Sequence, residues 1–232
     1  MEIQREMYEQ KRPLFEFCGW VHNELIQLNQ EPDFNELYLE RRGAIVKKLI
    51  EEAVPIAHLG LFFWREWNDV FIQCFADNRE YDAIIEIQNS NSVPYETIKI
   101  EVTTTDNNLN VMRRQALSRN GYAHFTGTVK RNGRKISTKG KFVETEEESE
   151  RVIQSILQAF ERKLKNSYDE RTAILIYETG FRPLNHDHRF RLIEETKQLI
   201  REKTPKLYGV FFCYSNNRGV DGIICNQQRL SP

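Results

Sequence analysis

Cysteine is scarce and scattered in this sequence. Its four cysteines, Cys18, Cys74, Cys213 and Cys225, form no CxxC pair. That leaves no cysteine set for zinc and no disulfide framework, so reduced core thiols of a cytoplasmic protein are expected. Charge of one sign is lacking too: 33 lysines and arginines stand against 34 aspartates and glutamates, a formal net charge of -1. The global balance therefore points to no polyanionic or polycationic partner, and only local clustering can. No apolar run approaches the roughly 20 residues of a membrane-spanning helix. The start, "MEIQREMYEQKRP", is too charged for a secretory leader. Repeats, low-complexity tracts and glycine-rich linkers are missing as well, which suggests one domain over residues 1–232. GxSxG, Walker A and GxGxxG sequences are absent, so hydrolase-elbow, P-loop and dinucleotide sites have no support.

What the chain does have is alternation between helical and extended patterns. The first 32 residues read as a helical extension broken near Pro13. Asp33 is placed to cap a helix, "FNELYLERRGAIVKKLIEEAV", that stops near Pro55. Three strands follow, "DVFIQCFA", "YDAIIEI" and "TIKIEVT". Their short polar connections favour antiparallel neighbours in one sheet. In the third, Ile98, Ile100 and Val102 alternate with Lys99, Glu101 and Thr103, the two-residue period of a strand with one apolar face. A helix from Asn107 to Arg119, capped by Asp106, comes next. "HFTGTVKRNGRKISTKGKFVE" reads as a hairpin over 125–144 turning at Asn132-Gly133. Thr145 and Glu148 form a capping box for a long helix. "TAILIYET", a helix from about Asp187, "LYGVFFCY" and "GVDGIICN" complete the chain. The order predicts an α/β fold, a central mixed sheet flanked by helices with an inserted basic hairpin.

An Asp in the second strand and a Glu in the third carry the candidate chemistry. They are Asp82 in "YDAII" and Glu101 in "IEVT". Helix, three strands, helix and strand with these acids resembles the PD-(D/E)xK nuclease superfamily over roughly residues 33–179. The resemblance implies a restriction-endonuclease-like core, αβββαβ, and a metal-dependent nuclease. It makes Asp82 and Glu101 the ligands of Mg²⁺ or Mn²⁺, with a Lys near the attacking water and often a Glu on the first helix. Thr103 stands where the motif has Lys, and in "RRGAIVKKL" Lys47 stands where a Glu is expected. Lys47 or Lys99 is then the candidate cation and Glu40, seven residues before Lys47, the supporting acid. Glu86, on the Asp82 face of its strand, is a spare. Lys47 and Lys99 also read as ordinary exposed lysines, and Glu101 as a solvated strand charge.

The hairpin is the second candidate surface. Lys130, Arg131, Arg134, Lys135, Lys139 and Lys141 occur with no acid before Glu144, as a wing lying along a phosphate backbone would need. Arg113 extends the patch. The alternative is a solvated hairpin whose lysines protect an exposed edge; nucleic-acid contact ranks above it because the whole chain is nearly neutral and this segment is not. The expectation is a DNA-directed nuclease, with RNA second. The alternative is an inactive relative that keeps the fold and binds nucleic acid or a protein partner. No membrane is implied, and homo-oligomerisation stays open.

Overall fold

The computed structural model describes residues 3–77, 79–88, 96–124, 126–180, 184–215 and 219–225. A short helix, α1 (Arg5–Tyr8), leads into β1 (Arg12–Pro13) and α2 (Leu14–Gln30). Then come α3 (Phe34–Leu39), α4 (Ala44–Lys48), a π-helical turn (Leu49–Ala53) and α5 (Val54–Trp64). Strands β2 (Val70–Cys74), β3 (Ala83–Ile87) and β4 (Glu96–Thr104) follow. The rest runs α6 (Asn108–Asn120), β5 (Thr128–Asn132), β6 (Lys135–Lys139), α7 (Thr145–Lys163), β7 (Thr172–Glu178), α8 (His186–Lys203), β8 (Gly209–Tyr214) and β9 (Val220–Ile224).

Seven of these strands form one mixed sheet in the order β1-β2-β3-β4-β7-β8-β9, and β5 pairs with β6 apart from it. The pairs β2/β3 and β3/β4 are antiparallel, whereas β4/β7 and β7/β8 are parallel. Burial follows from this arrangement. Every residue of β7 and β8 is buried, as expected for parallel strands covered on both faces. In β2 and β3 only alternate residues are buried. One core joins the sheet to α2–α5, through Phe17, Leu49, Ile56 and Leu59. The other packs α7 and α8 on the opposite face, through Ile153, Phe160 and Leu192 against Ile174, Ile176 and Phe212. The second layer thus leaves β2–β4 half open, and that opening exposes the candidate site. Among the described residues, no helix is long and apolar enough to cross a membrane.

Several local expectations are corrected. The helix expected from Phe34 to Pro55 is divided. Arg41 and Gly43 take left-handed φ values of 56° and 92°, which end α3 and restart the chain as α4. The later part does not stop at Pro55. Proline lacks the N–H that would bond the Glu51 carbonyl, and the chain widens into a π turn over 49–53 before α5 continues. The N-terminal segment is no loose extension, because Arg12 and Pro13 pair with Ile72 and Phe71 at the sheet edge. Caps shift by a residue or two. Asn107, not Asp106, accepts the Asn110 N–H at 2.9 Å, α8 starts at His186 with Asn185 as its cap, and Thr145 is inside α7 with no side-chain cap. The hairpin turns at Gly133-Arg134, one residue later than expected, with φ of 59° at Gly133. A left-handed glycine at the first central position is the pattern of a type II′ loop. Phe125, the expected first residue of the insert, lies outside the described residues.

Candidate active site

Asp82 lies in the bend just before β3, beside the β4 segment that carries Glu101. The ladder begins with Ala83 paired to Ile100, and the charge of Asp82 is felt by Glu101. The backbone of Asp82 is fixed from both sides: its N–H donates to the Ile100 carbonyl at 2.8 Å, and its carbonyl accepts from the Phe75 N–H at 2.9 Å. Asp82 Oδ2 accepts the Val102 N–H at 2.8 Å. Oδ1 faces Lys48 Nζ at 3.9 Å.

Two lysines and a third acid complete the cluster. Lys48 and Glu52 lie one turn apart on the α4–π segment, and Lys48 Nζ donates to both Glu52 oxygens at 3.0 Å. Tyr8 donates its hydroxyl to Glu52 Oε2 at 3.2 Å. From the other layer, Lys163 in the last turn of α7 donates to Glu101 Oε1. All three carboxyls titrate above the ordinary range. Burial is the main cause for Asp82, opposed by the Val102 N–H and by Lys48. For Glu101 burial again leads, opposed by Lys163 and reinforced by the charge of Asp82. Glu52 is raised by burial first and by Asp82 second.

This assembly is costly for the fold. At 3.9 Å and an effective dielectric of about 20, the Lys48–Asp82 attraction is about 4 kcal/mol before desolvation. Removing each ion from water costs several kcal/mol. The lysines therefore roughly offset the burial of the acids instead of adding stability, and such clusters concentrate at functional sites.

The structure does not bring all the expected residues here. Lys47 is 60% exposed at its side chain and turns to Glu51 at 3.9 Å, because successive helix residues point about 100° apart. Glu40 binds Arg119 through two hydrogen bonds of 3.0 and 2.9 Å, since the Arg41–Gly43 break removes it from the α4 face. Lys99 lines the same surface recess as Glu101, yet its ammonium is held by Asp169 at 2.6 Å. Glu86 pairs with Lys11. The residues missed by sequence reasoning are Lys48, Glu52 and Lys163. A signal existed for the first two: Gly43 is a helix breaker, and a restart there puts Lys48 and Glu52 on one face. Nothing local marks Lys163, whose partner is 62 residues away.

The hairpin carries its charges outward. Lys130, Arg134, Lys135 and Lys139 are exposed, and Arg131 is exposed while bonding Gln115. Ile136 is buried and anchors the wing on α6, where Asn120 donates to its carbonyl at 3.0 Å. Arg113 does not join the exposed patch. It is part-buried and donates to Asn110 Oδ1 at 3.3 Å and to the Gly127 carbonyl at 3.1 Å, so it holds the root of the insert.

Among the described residues, no group of three or more His, Cys, Asp or Glu side chains is arranged to hold a metal ion. Glu52 is turned to Lys48 and Tyr8, and Glu101 to Lys163. A Mg²⁺ site needs only one or two carboxylates beside water and phosphate. Asp82 and Glu101, hard oxygen donors near enough for the charge of one to act on the other and both with raised affinity for protons, fit that demand. No family model matches the chain, and no curated protein or solved structure matches it either.

Proposed function

We propose that the chain is a divergent PD-(D/E)xK nuclease hydrolysing phosphodiester bonds, in DNA before RNA. The observation that carries this reading is the convergence of Asp82, Glu101 and Glu52 with Lys48 and Lys163 at one half-open sheet end. Asp82 and Glu101 would hold Mg²⁺ or Mn²⁺. When bound, such an ion lowers the pKa of its water and neutralises charge on the phosphate. The residues of the chain have separable tasks. The Val102 N–H fixes the Asp82 carboxylate in orientation. Lys48 offsets the Asp82–Glu52 charge when the site is apo. Lys163, on the face of β4 shared by Glu101 and Thr103, supplies the cation that the motif places at Thr103. Its ammonium would orient the attacking water or steady the phosphate oxygens.

Thermal unfolding with added metal tests the proposal. A ligand at one hundred times its Kd stabilises by about 2.7 kcal/mol, roughly 5–10 °C in Tm for a chain of this size. The wild type should gain such a shift with Mg²⁺ or Mn²⁺, and Asp82→Asn should lose it. An equal shift in the variant would put the ion elsewhere.

The lysine contacts of both acids favour a second reading, a fold that has kept its charges and lost the metal, with the hairpin as its nucleic-acid contact. Replacing Lys130, Arg131, Arg134 and Lys135 with Ser should weaken binding on either reading. Each lost phosphate contact lowers the log–log salt slope by about 0.9 on duplex DNA or about 0.7 on single strands. The loss should be uniform across sequences, because phosphate contacts read no bases. An unchanged slope would make the hairpin a solvated arm.

A further inference from the structure

A separate cavity of about 340 Å³ opens between α6, α7 and the end of β7, and its lining includes none of the five clustered site residues. It lies at the carboxyl ends of the parallel strands β4 and β7, the end of an α/β sheet where ligands characteristically bind. Its size is at the small end of ligand sites. Three guanidinium groups line it, those of Arg113, Arg114 and Arg151. Arg114 is committed to Asp106 at 2.6 Å and to the Leu39 carbonyl at 3.1 Å. Arg151 is half exposed and pairs with the exposed Glu147 and with the part-buried Glu148, which itself lines the cavity. Arg113 is the more telling. Its terminal nitrogens bond Asn110 and Gly127, but its Nε is buried with no hydrogen-bond partner. Buried donors are ordinarily satisfied, so this guanidinium keeps incompletely compensated positive charge at the cavity wall.

The remaining walls are polar in a complementary way. The first turn of α6 enters the cavity, and Asn107 takes only the Asn110 N–H. The N–H groups of Asn108 and Leu109 have no helical partner, and a helix N-terminus favours anions. Across from it, Glu178 is 5% exposed and accepts the Gly180 N–H at 2.7 Å and the Thr105 hydroxyl at 3.4 Å. Burial first, then Asp106 and Glu148, push its carboxyl up to about 7, against the pull of those two donors. It therefore carries a proton for much of the time near neutrality and does not repel an anion as a full charge.

We propose that this cavity binds a phosphate monoester, with its dianion on Arg113, Arg151 and the α6 N-terminus and a hydrogen-bonding group of the ligand on Glu178. The multiple guanidinium groups select phosphate over a monoanionic carboxylate. A free mononucleotide and the phosphorylated end of a nucleic-acid strand share this chemistry. The site stands independently of the nuclease reading, since none of the five residues of the cluster contributes to it.

Calorimetric titration of the full chain without divalent metal tests it, using inorganic phosphate, AMP, and a tetranucleotide with and without a 5′-phosphate. Saturable 1:1 binding of AMP or of the phosphorylated tetranucleotide is expected, weakened at least tenfold by Arg151→Gln. That side chain is half exposed, so the variant should fold. Arg113→Lys, which keeps the charge and loses the fork, should weaken binding as well. Preference for AMP identifies a free ester as the ligand, and preference for the phosphorylated tetranucleotide over its unphosphorylated twin identifies a strand end. Lack of saturation by any phosphate at millimolar concentration, or affinities unchanged in both variants, would overturn the assignment.

Discussion

Glu101→Gln is expected to abolish metal-dependent cleavage, by a factor of at least about 10³, while the protein stays folded. An amide is nearly isosteric with the carboxylate and still offers an oxygen to Lys163. It supplies no negative charge, and Mg²⁺ is bound by carboxylates, water and phosphate. The stability of the apo protein should change little, and in the favourable direction. Glu101 is only 13% exposed at its side chain and titrates above its ordinary range because burial opposes its charge. A neutral side chain avoids that cost, while Lys163 is 23% exposed and keeps access to water. Circular dichroism and a cleavage time course on the same preparation check both halves. Full activity in a folded Glu101→Gln would remove this residue from the site.

The second large effect separates a lysine of α7 from one of α4. Lys163→Met is expected to lower kcat by about 10²–10⁴, the range for a positioned proton-transfer group or charge stabiliser. Lys47→Met should leave kcat within about twofold. The sequence offers Lys47 and does not mark Lys163, yet of the two only Lys163 touches a carboxylate of the pair, whereas Lys47 is exposed and turned to Glu51. Methionine keeps most of the aliphatic stem, so packing along α7 is conserved. A pH profile distinguishes the roles of Lys163. If it holds or moves a proton, the variant loses one limb of the profile; if it only braces α7 against β4, kcat falls without a change of shape.

The contrast between these lysines shows what the sequence could convey. Glu101 could be placed because a strand has a fixed period of two, so a Glu within "IKIEVT" falls on a defined face, and Asp82 because it directly precedes the strand "AIIEI". The hairpin was legible from its Asn132-Gly133 turn signal, and its charged surface from the clustering of lysine and arginine. The helix residues were not, since facing there depends on phase. A continuous helix from Phe34 aligns Glu40 with Lys47. Left-handed Arg41 and Gly43 and the π turn before Pro55 reset the phase and bring Lys48 and Glu52 forward instead. Lys163 could not be found by any local rule, for its role exists only once α7 packs across the open face of β4. The two-residue β1 is invisible for a related reason: Arg12 and Pro13 are extended because β2 is there to receive them.

The central claim is that the cluster around Asp82 hydrolyses phosphodiesters with a divalent ion. Its most direct test is a cleavage assay of the purified chain on single- and double-stranded DNA and RNA, with Mg²⁺, with Mn²⁺ and with EDTA, beside Asp82→Ala. The account predicts metal-dependent scission of at least one substrate, strongest on DNA, that disappears in EDTA and in Asp82→Ala. Scission that persists in folded Asp82→Ala, or no scission of any substrate with either metal, would contradict it.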